Sequence, residues 1–207
     1  MQTVNRIDIV FEDEYLLVIN KPAGILSQCD GEDDIVSYAG AHTGGDVFIV
    51  NRLDRPVGGL VLLAKDKKTA AALTAANMEK YYLAVVCGVP ADSARLENYL
   101  FHDKRLNVVK NVNKGMGKLA VLEYEKLWQR EDTALLKIHL LTGRHHQIRA
   151  QMLFNGTPIY GDTKYNPAFK HKRGIMPALF SHILCFAHPV TKEELRFEVY
   201  PNDEIFN

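Results

Sequence analysis

The chain has 207 residues, of which 25 are basic and 25 acidic, so its formal net charge is zero. That balance argues against a protein that binds polyanions through its overall charge, and the apolar fraction of 47% predicts one globular domain spanning residues 1–207. No apolar run has the length of a membrane span, no signal peptide is apparent, and three widely separated cysteines favour free thiols in the cytoplasm.

The first eighty residues alternate short apolar runs with turn residues, a pattern that predicts strands joined by tight turns. One segment of this part is rich in alanine, the best helix former, and therefore predicts a helix. The predicted elements are strands over 7–11, 16–19, 47–50 and 60–64, and helices over 34–41 and 67–80.

The remaining residues predict mainly strands. Leu136, Ile138 and Leu140 alternate with polar residues, as in a strand that buries one face. Residues 89–118 are polar and are predicted to be mostly loop, with one possible strand over 107–112. The expected fold is a single α/β domain, largely antiparallel, with few helices. The other predicted elements are strands over 80–88, 119–128, 134–141, 179–187 and 195–199, and a helix over 144–154.

A loop at 51–59 places a carboxylate, Asp54, between Arg52 and Arg55, with a predicted strand on each side. Pro56 and two following glycines interrupt regular structure there. One interpretation is a polar turn in which Asp54 caps its own backbone and the arginines are solvated. The other is a loop that presents the carboxylate for chemistry, since rigid strands position a loop well.

Two further segments contain chemically versatile side chains. Residues 142–149 read Thr-Gly-Arg-His-His-Gln-Ile-Arg, and a helix starting at the Thr-Gly turn would leave backbone N–H groups available to an anion. Within such a helix, His145 and His146 would share a face with Arg149. Tyr82 lies on a predicted strand, where tyrosine is most often a packing residue.

Together these segments resemble the RluA-type pseudouridine synthases, which isomerise uridine to pseudouridine in ribosomal or transfer RNA. The loop around that family's catalytic aspartate is matched by residues 52–55, its lysine–x–tyrosine strand by 80–88, and its Thr-Gly-Arg–x–His-Gln-Ile-Arg segment by 142–149. The matches follow the family's order from about residue 14 to about residue 200. Three further pairs match family positions that look structural: Lys21-Pro22, Gly161-Asp162 and His188-Pro189.

The resemblance implies that Asp54, Tyr82 and Arg149 are the catalytic residues. A carboxylate would act on the ribose or the base, a tyrosine would stack on the uracil, and Arg149 would pair with Asp54 and keep it ionised. The reaction breaks the bond from ribose to ring nitrogen 1 and remakes it to carbon 5. Because no atom is gained or lost, no cofactor is expected.

This sequence departs from the family pattern at a few positions. Asn51 stands where the family usually has histidine, Val57 and Gly58 replace threonine and serine, and Gln151 stands where histidine is common. These changes concern the choice of RNA more than the chemistry. The small N-terminal RNA-binding domain of many relatives is not expected here.

The charges are segregated in a way that permits a basic face on a neutral protein. Residues 104–118 and 164–173 contain several basic side chains, and neither segment contains an acid. We expect the protein to bind ribosomal or transfer RNA as a monomer, without a membrane partner. The expected RNA-binding residues are Arg52, Arg55, Arg144, His146, Lys110, Lys114, Lys170, Lys172 and Arg173.

Two alternatives remain at this point. A metal enzyme would draw its ligands from the histidines and aspartates, but adjacent histidines on a helix point about 100° apart, and an arginine on the same face disfavours a divalent cation. A non-catalytic RNA-binding protein that retains the synthase fold would not need Asp54, Tyr82 and Arg149 together. The candidate metal ligands are His145, His146, Asp162, His182 and His188, with Asp54. His139, His182 and His188 are better explained as structural residues.

Overall fold

The computed structural model describes residues 7–28 and 34–207. The fold is mixed α/β, with strands dominant and three α-helices in the described part, as the sequence predicts. The chain divides into two compact units. Unit 1 comprises Met1–Glu79 and Ser181–Pro201, and unit 2 comprises Lys80–Phe180 and Asn202–Asn207.

Unit 1 is a sheet in which most strands follow one another as antiparallel neighbours. The strand order is β1-β2-β4-β10-β11, and β3 pairs with β4. The strands are β1 (Asp8–Glu12), β2 (Leu16–Lys21), β3 (Phe48–Ile49), β4 (Gly58–Ala64), β10 (Leu179–Ala187) and β11 (Glu194–Glu198), and the helices are α1 (Ile35–Thr43) and α2 (Lys67–Ala75).

The core of unit 1 forms around β4, which is buried along its whole length. Leu60 and Leu62 pack with Leu16 and Val18 of the neighbouring strand and with Leu184 of β10. Burying such leucine side chains contributes roughly 1.5–3 kcal/mol each. The first residues of β4 follow directly on the Asp54 loop, so this loop ends in a fully buried strand.

Unit 2 is a fully antiparallel sheet in the order β5-β9-β8-β6-β7. Helix α3 (Gln147–Phe154) contacts β6 and β7. The strands are β5 (Met78–Cys87), β6 (Ser93–Asp103), β7 (Val108–Val112), β8 (Lys118–Arg130) and β9 (Thr133–Leu140). Short 3-10 helices occur at Pro167–Phe169 and Glu204–Phe206.

Three predicted elements need correction. The prediction of a mostly irregular stretch over 89–118 is wrong, because β6 occupies eleven residues of it and pairs with β7 on one side and β8 on the other. The alanine-rich helix ends at Ala75, since the chain from Met78 onward is extended and belongs to β5. In both cases pairing with other strands overrides the local preference of the sequence.

The third correction concerns α3, which begins at Gln147 and not at Arg144. His146 has a left-handed backbone with φ of 48°, and a right-handed helix cannot continue through such a residue. His145 and His146 therefore lie in the turn before the helix, and the expectation that they share a helical face with Arg149 is wrong.

Cys87 and Cys185 are free thiols, and burial raises the pKa of each. Cys29 lies outside the described residues. Over the described ranges, no helix has both the length and the apolar character that crossing a membrane requires.

Candidate active site

The Asp54 loop connects β3 to β4 and is fixed by backbone hydrogen bonds. The N–H of Val57 donates to the carbonyl oxygen of Asp54 at 3.0 Å, which closes a turn around Arg55. The hydroxyl of Ser27 accepts from the N–H of Leu53 at 3.0 Å and donates to its carbonyl oxygen at 2.8 Å. Residues from two parts of unit 1 thus determine the path of the backbone on both sides of Asp54.

Lys21, at the end of β2, is completely buried beneath this loop. Its ammonium donates to the carbonyl oxygens of Pro22 at 3.0 Å, Ile25 at 2.7 Å and Arg55 at 3.3 Å. Burial lowers the pKa of Lys21 to about 8, and the negative charge of Asp54 opposes this shift. The side chain therefore remains mostly cationic at neutral pH and interacts electrostatically with Asp54.

The two residues that frame the loop have structural contacts. Asn51 donates from its amide to the carbonyl oxygen of Leu60 at 3.3 Å and accepts from the N–H of Leu62 at 2.7 Å, which fastens the loop to β4. Arg55 donates from Nε to the carbonyl oxygen of Gly24 at 2.9 Å, while its own carbonyl accepts from the N–H of Gly24 at 2.8 Å. Asn51, the departure from the family's histidine, thus supports the loop.

Tyr82 lies on β5 of unit 2, directly opposite Ile138 of β9. Its side chain is buried, with 6% of the residue exposed. The neighbouring Tyr81 points to the other face of the strand, where its ring stacks on His139 at a centroid distance of 4.4 Å. This stacking accounts for His139 as a structural residue.

Arg149, on α3, forms a buried bidentate ion pair with Asp162. Its Nε donates to Oδ2 at 2.7 Å and its Nη2 to Oδ1 at 2.8 Å, and Asp162 is completely buried. Oδ1 of Asp162 also accepts the backbone N–H groups of Lys164 at 2.9 Å and Tyr165 at 3.1 Å. The guanidinium lies over the ring of Tyr165, 5.3 Å from its centroid.

Burial by itself would raise the pKa of Asp162, but the hydrogen bonds and charge of Arg149, together with the N–H groups of Lys164 and Tyr165, hold it below its usual value. Arg149 is therefore fixed in position within unit 2 by Asp162, a carboxylate that the sequence suggested as a structural residue or a metal ligand but not as the partner of Arg149. The predicted pairing of Arg149 with Asp54, a residue of unit 1, stays a prediction.

The turn before α3 is organised by Gln147. Its Oε1 accepts from the hydroxyl of Thr142 at 2.8 Å and from the N–H of Arg144 at 2.9 Å. One N–H group that the sequence suggested for anion binding is therefore satisfied within the protein. The side chain of Arg144 is exposed and donates from Nε to the carbonyl oxygen of Leu119 at 2.9 Å.

Gln151, where relatives often have histidine, extends a chain of buried amides. It accepts from Nε2 of Gln147 at 2.9 Å and donates to Oδ1 of Asn98 at 3.0 Å and to the carbonyl oxygen of Ala120 at 3.2 Å. These contacts tie α3 to β6 and β8. Gln151, a second departure from the family pattern, thus has a structural role in holding α3 against the sheet.

The two basic segments meet in unit 2, where Nζ of Lys164 donates to the carbonyl oxygen of Asn107 at 2.8 Å. Lys110 is half-exposed and pairs with Asp103, just outside the acid-free segment, at 2.8 Å. His146 is partly buried. The remaining predicted RNA-binding residues are exposed: Arg52 and Arg55 in unit 1, and Arg144, Lys114, Lys170, Lys172 and Arg173 in unit 2.

The candidate metal ligands have other partners. His182 contacts the carbonyl oxygen of Val199 at 2.6 Å, and His188 contacts Asp13 at 2.9 Å. Asp162 binds Arg149, as described above. Across residues 7–28 and 34–207, no three histidine, cysteine or acidic side chains form a group that could hold a metal ion.

Comparison with known proteins places this arrangement in a family. A sequence model of RNA pseudouridylate synthases matches residues 15–154, about two thirds of the chain. The chain belongs to the RNA pseudouridylate synthase family. The resemblance inferred from the three motifs is thereby confirmed, and all three motifs lie within the matched residues.

Relatives within the family cover most of this chain. It is 34% identical over 206 residues to an uncharacterised RNA pseudouridine synthase of Mycoplasma pneumoniae. The aligned region covers 93% of this chain and 66% of that protein. It is 32% identical over 206 residues to the dual-specificity RNA pseudouridine synthase RluA of Pasteurella multocida, with 94% of this chain and 93% of that protein covered. The human RNA pseudouridylate synthase domain containing 1 shares the fold, with a TM-score of 0.79 at 18% identity over 97% of this chain and 86% of that one.

Proposed function

We propose that this protein converts specific uridines of structured RNA to pseudouridine, with Asp54 as the catalytic carboxylate. The observation that supports this most directly is the Asp54 loop itself. The loop lies within the residues that match the RNA pseudouridylate synthase family, and the buried Lys21 donates a hydrogen bond to the carbonyl oxygen of Arg55 in it. Preorganised groups reduce the cost of orienting a reacting atom. A carboxylate held in this way suits attack on the ribose or the base.

Tyr82 and Arg149 complete the proposed set of catalytic residues. A tyrosine ring can stack on the extruded uracil, and removing a base from its stack costs roughly a few kcal/mol. Arg149 is held rigidly by Asp162, so its guanidinium can act as a fixed cation for a carboxylate or a phosphate. Neither role needs a cofactor, because isomerisation conserves every atom of the nucleotide.

The proposal includes the setting in which the reaction occurs. We assign residues 1–207 to one catalytic domain that acts as a monomer on ribosomal or transfer RNA in the cytoplasm. The named relatives are described as RNA pseudouridine synthases, which supports RNA as the partner. Size-exclusion chromatography with light scattering tests the monomer, and cell fractionation tests the location.

The decisive experiment is product analysis after incubation of the protein with total RNA from cells that lack its gene. Wild type should yield new pseudouridine. The rate of Asp54→Asn should be at least about 1,000-fold lower, which is the size of loss seen when a group that stabilises the transition state is removed. RNA affinity and the unfolding transition should stay close to wild type in this variant.

Asp46→Asn is the matched control, because Asp46 is an exposed aspartate of the same unit. It should form pseudouridine at the wild-type rate. Pseudouridine formation by Asp54→Asn near that rate would exclude Asp54 as the catalytic group. RNA binding without any product from wild type would favour the non-catalytic RNA-binding protein.

A further inference from the structure

Three histidine rings form a stack on the surface of unit 2. His102 comes from the end of β6, and His145 and His146 come from the turn before α3. The ring centroids of His102 and His145 are 4.0 Å apart, and those of His145 and His146 are 3.8 Å apart. Residues more than forty positions apart in the chain thus present a continuous column of imidazoles.

The amide of Asn107 and the phenol of Tyr165 contact the column. Oδ1 of Asn107 lies 3.2 Å from Nε2 of His102 and 3.1 Å from Nε2 of His145, so it can accept from both rings. The hydroxyl of Tyr165 lies 2.8 Å from Nδ1 of His146 and also accepts the N–H of Val109 at 3.0 Å. These contacts fix the orientation of every ring. His145 is exposed but lies between the other two rings, so a base would stack at an end of the column.

Two residues of this cluster have an uncommon backbone conformation. Asn107 and His146 have φ of 49° and 48°, in the left-handed region that side chains other than glycine seldom adopt. The two residues are far apart in sequence. Asn107 contacts two of the rings, and His146 supplies the third ring. Asparagine and histidine adopt this region more readily than other residues with a side chain, so the conformation sets the direction of both side chains at little cost.

The column continues towards the proposed catalytic arginine. Tyr165 contacts His146 through its hydroxyl, and its ring lies beneath the guanidinium of Arg149 at 5.3 Å. On the outside, Lys164 reaches the carbonyl oxygen of Asn107 at 2.8 Å, and Arg144 is exposed next to His145. At the surface end, this series of contacts combines aromatic rings with cations, the two kinds of group that bind a flexible RNA segment.

We propose that the stack formed by His102, His145 and His146 binds an unpaired base of the RNA substrate, with Lys164 and Arg144 beside it for the flanking phosphates. This rests on the proposed function and adds a substrate-binding site to it. Proteins bind single-stranded RNA by stacking its bases on aromatic side chains, histidine included. Such stacking tolerates different bases, so the site sets how the RNA lies and not which base is read.

The test is a binding cycle with a fluorescently labelled RNA stem-loop whose loop contains uridines. His102→Ala combined with His145→Ala should weaken binding about 5- to 100-fold, the loss that corresponds to one stacked base. Replacing loop nucleotides one at a time by abasic residues should weaken wild-type binding at the target uridine, whose base is proposed to stack on Tyr82, and at one further position. The RNA that is abasic at this further position should bind the double alanine variant no more weakly than the intact RNA does.

Two variants separate stacking from other effects. His102→Phe with His145→Phe keeps the rings but not the hydrogen bonds to Asn107, and it should retain most of the affinity. His42→Ala removes an exposed histidine that pairs with Glu12 in unit 1 and should bind as wild type does. Thermal unfolding of each variant shows whether it is folded, and the abasic series on wild type tests the site even where a variant does not fold.

Several outcomes overturn the proposal. Wild-type affinity in the double alanine variant would do so, and so would an abasic series in which only the target uridine has an effect. A loss that the phenylalanine rings fail to restore and that is accompanied by a smaller salt dependence would identify a phosphate contact instead of base stacking. Pseudouridine formation by wild type is scored separately, so failure of this site and failure of the proposed activity are distinguishable.

Discussion

At the scale of single residues, the buried pair of Arg149 and Asp162 decides how the proposed site is built. Two charges removed from water are costly unless they are paired with good geometry. Here the pairing is bidentate, and Asp162 accepts two further backbone N–H groups. Arg149 is consequently held at one angle, as a residue that orients a carboxylate or phosphate should be.

Replacing Asp162 by asparagine should therefore lower both stability and activity. The change removes the negative charge of Asp162 from beside the buried Arg149, for which a loss of about 3–5 kcal/mol in the free energy of unfolding is expected. Urea denaturation of wild type and variant at neutral pH measures the difference. Pseudouridine formation should fall with it even under conditions where the variant is folded.

Asp103→Asn is the control, because its pair with Lys110 is half-exposed and such pairs contribute less than about 1 kcal/mol. The pH dependence gives a second check. Since the pKa of Asp162 is lowered in the folded protein, the stabilisation is present at neutral pH and is lost as the pH falls through that folded pKa. A difference between wild type and Asp162→Asn that grows on acidification contradicts this account.

For Lys21, burial predicts that its contribution to the free energy of unfolding is smallest near neutral pH and grows as the pH rises. Burial lowers its folded pKa to about 8 from an ordinary value of 10.5, so between these values the unfolded chain binds more protons and the contribution of Lys21 to stability rises with pH. Compared with Lys21→Met, wild type should gain roughly 2 kcal/mol in unfolding free energy between about pH 7.5 and about pH 9.5. Denaturation curves across this range measure the difference.

Lys68→Met serves as a control, since Lys68 is exposed in the same unit. Its difference from wild type should not change with pH over the same range. A flat difference for Lys21→Met as well would mean that its ammonium is not destabilised by burial.

At the scale of elements, the junction of the Asp54 loop with β4 depends on close backbone contact. Gly59 has φ of 112°, and a Cβ there would lie 2.2 Å from the carbonyl oxygen of Ser181 in β10. Any side chain is therefore excluded by both conformation and space. The Gly58-Gly59 pair, read from the sequence as a turn signal, is the start of a buried strand.

Gly59→Ala should thus be among the most damaging small substitutions in unit 1. Strain at a positive φ costs about 1–3 kcal/mol, and displacing the β10 backbone adds to this, so we expect a loss of more than about 3 kcal/mol. Gly45→Ala, with no atom within 4 Å of its added Cβ, should stay within about 0.5 kcal/mol of wild type. Thermal unfolding of both variants compares them, and equal stabilities would contradict the close contact.

At the scale of the whole molecule, a net charge of zero coexists with basic segments 104–118 and 164–173, which meet through Lys164 and Asn107. Such a surface attracts RNA through local charge, and its affinity falls with salt as counterions are released. Lys110 already has a partner in Asp103. Its contribution to this salt dependence should therefore be smaller than that of the exposed Lys114.

Neutralising Lys110, Lys114, Lys170, Lys172 and Arg173 together should flatten the plot of log affinity against log salt. Each phosphate contact that is lost should reduce its slope by about 0.7–0.9. Fluorescence anisotropy over a range of salt concentrations measures this, with Lys68→Gln and Lys192→Gln as exposed controls in unit 1. An unchanged slope would place the RNA on another surface.

The sequence by itself determined most of the elements and the family. Apolar alternation predicted β9, and three motifs with Asp54, Tyr82 and Arg149 identified an RNA pseudouridylate synthase. Both kinds of pattern can be read from the sequence because they depend only on residues that are neighbours in the chain. The roles of these three residues in catalysis stay predictions.

Only the tertiary structure decided what lies around these residues. β6 forms because β7 and β8 supply its hydrogen bonds, Arg149 binds Asp162 thirteen positions away, and Lys21 is buried below a loop that follows it by more than thirty residues. The histidine column likewise joins β6 to the turn before α3. Each depends on contacts between distant segments, whose burial and geometry no local pattern encodes.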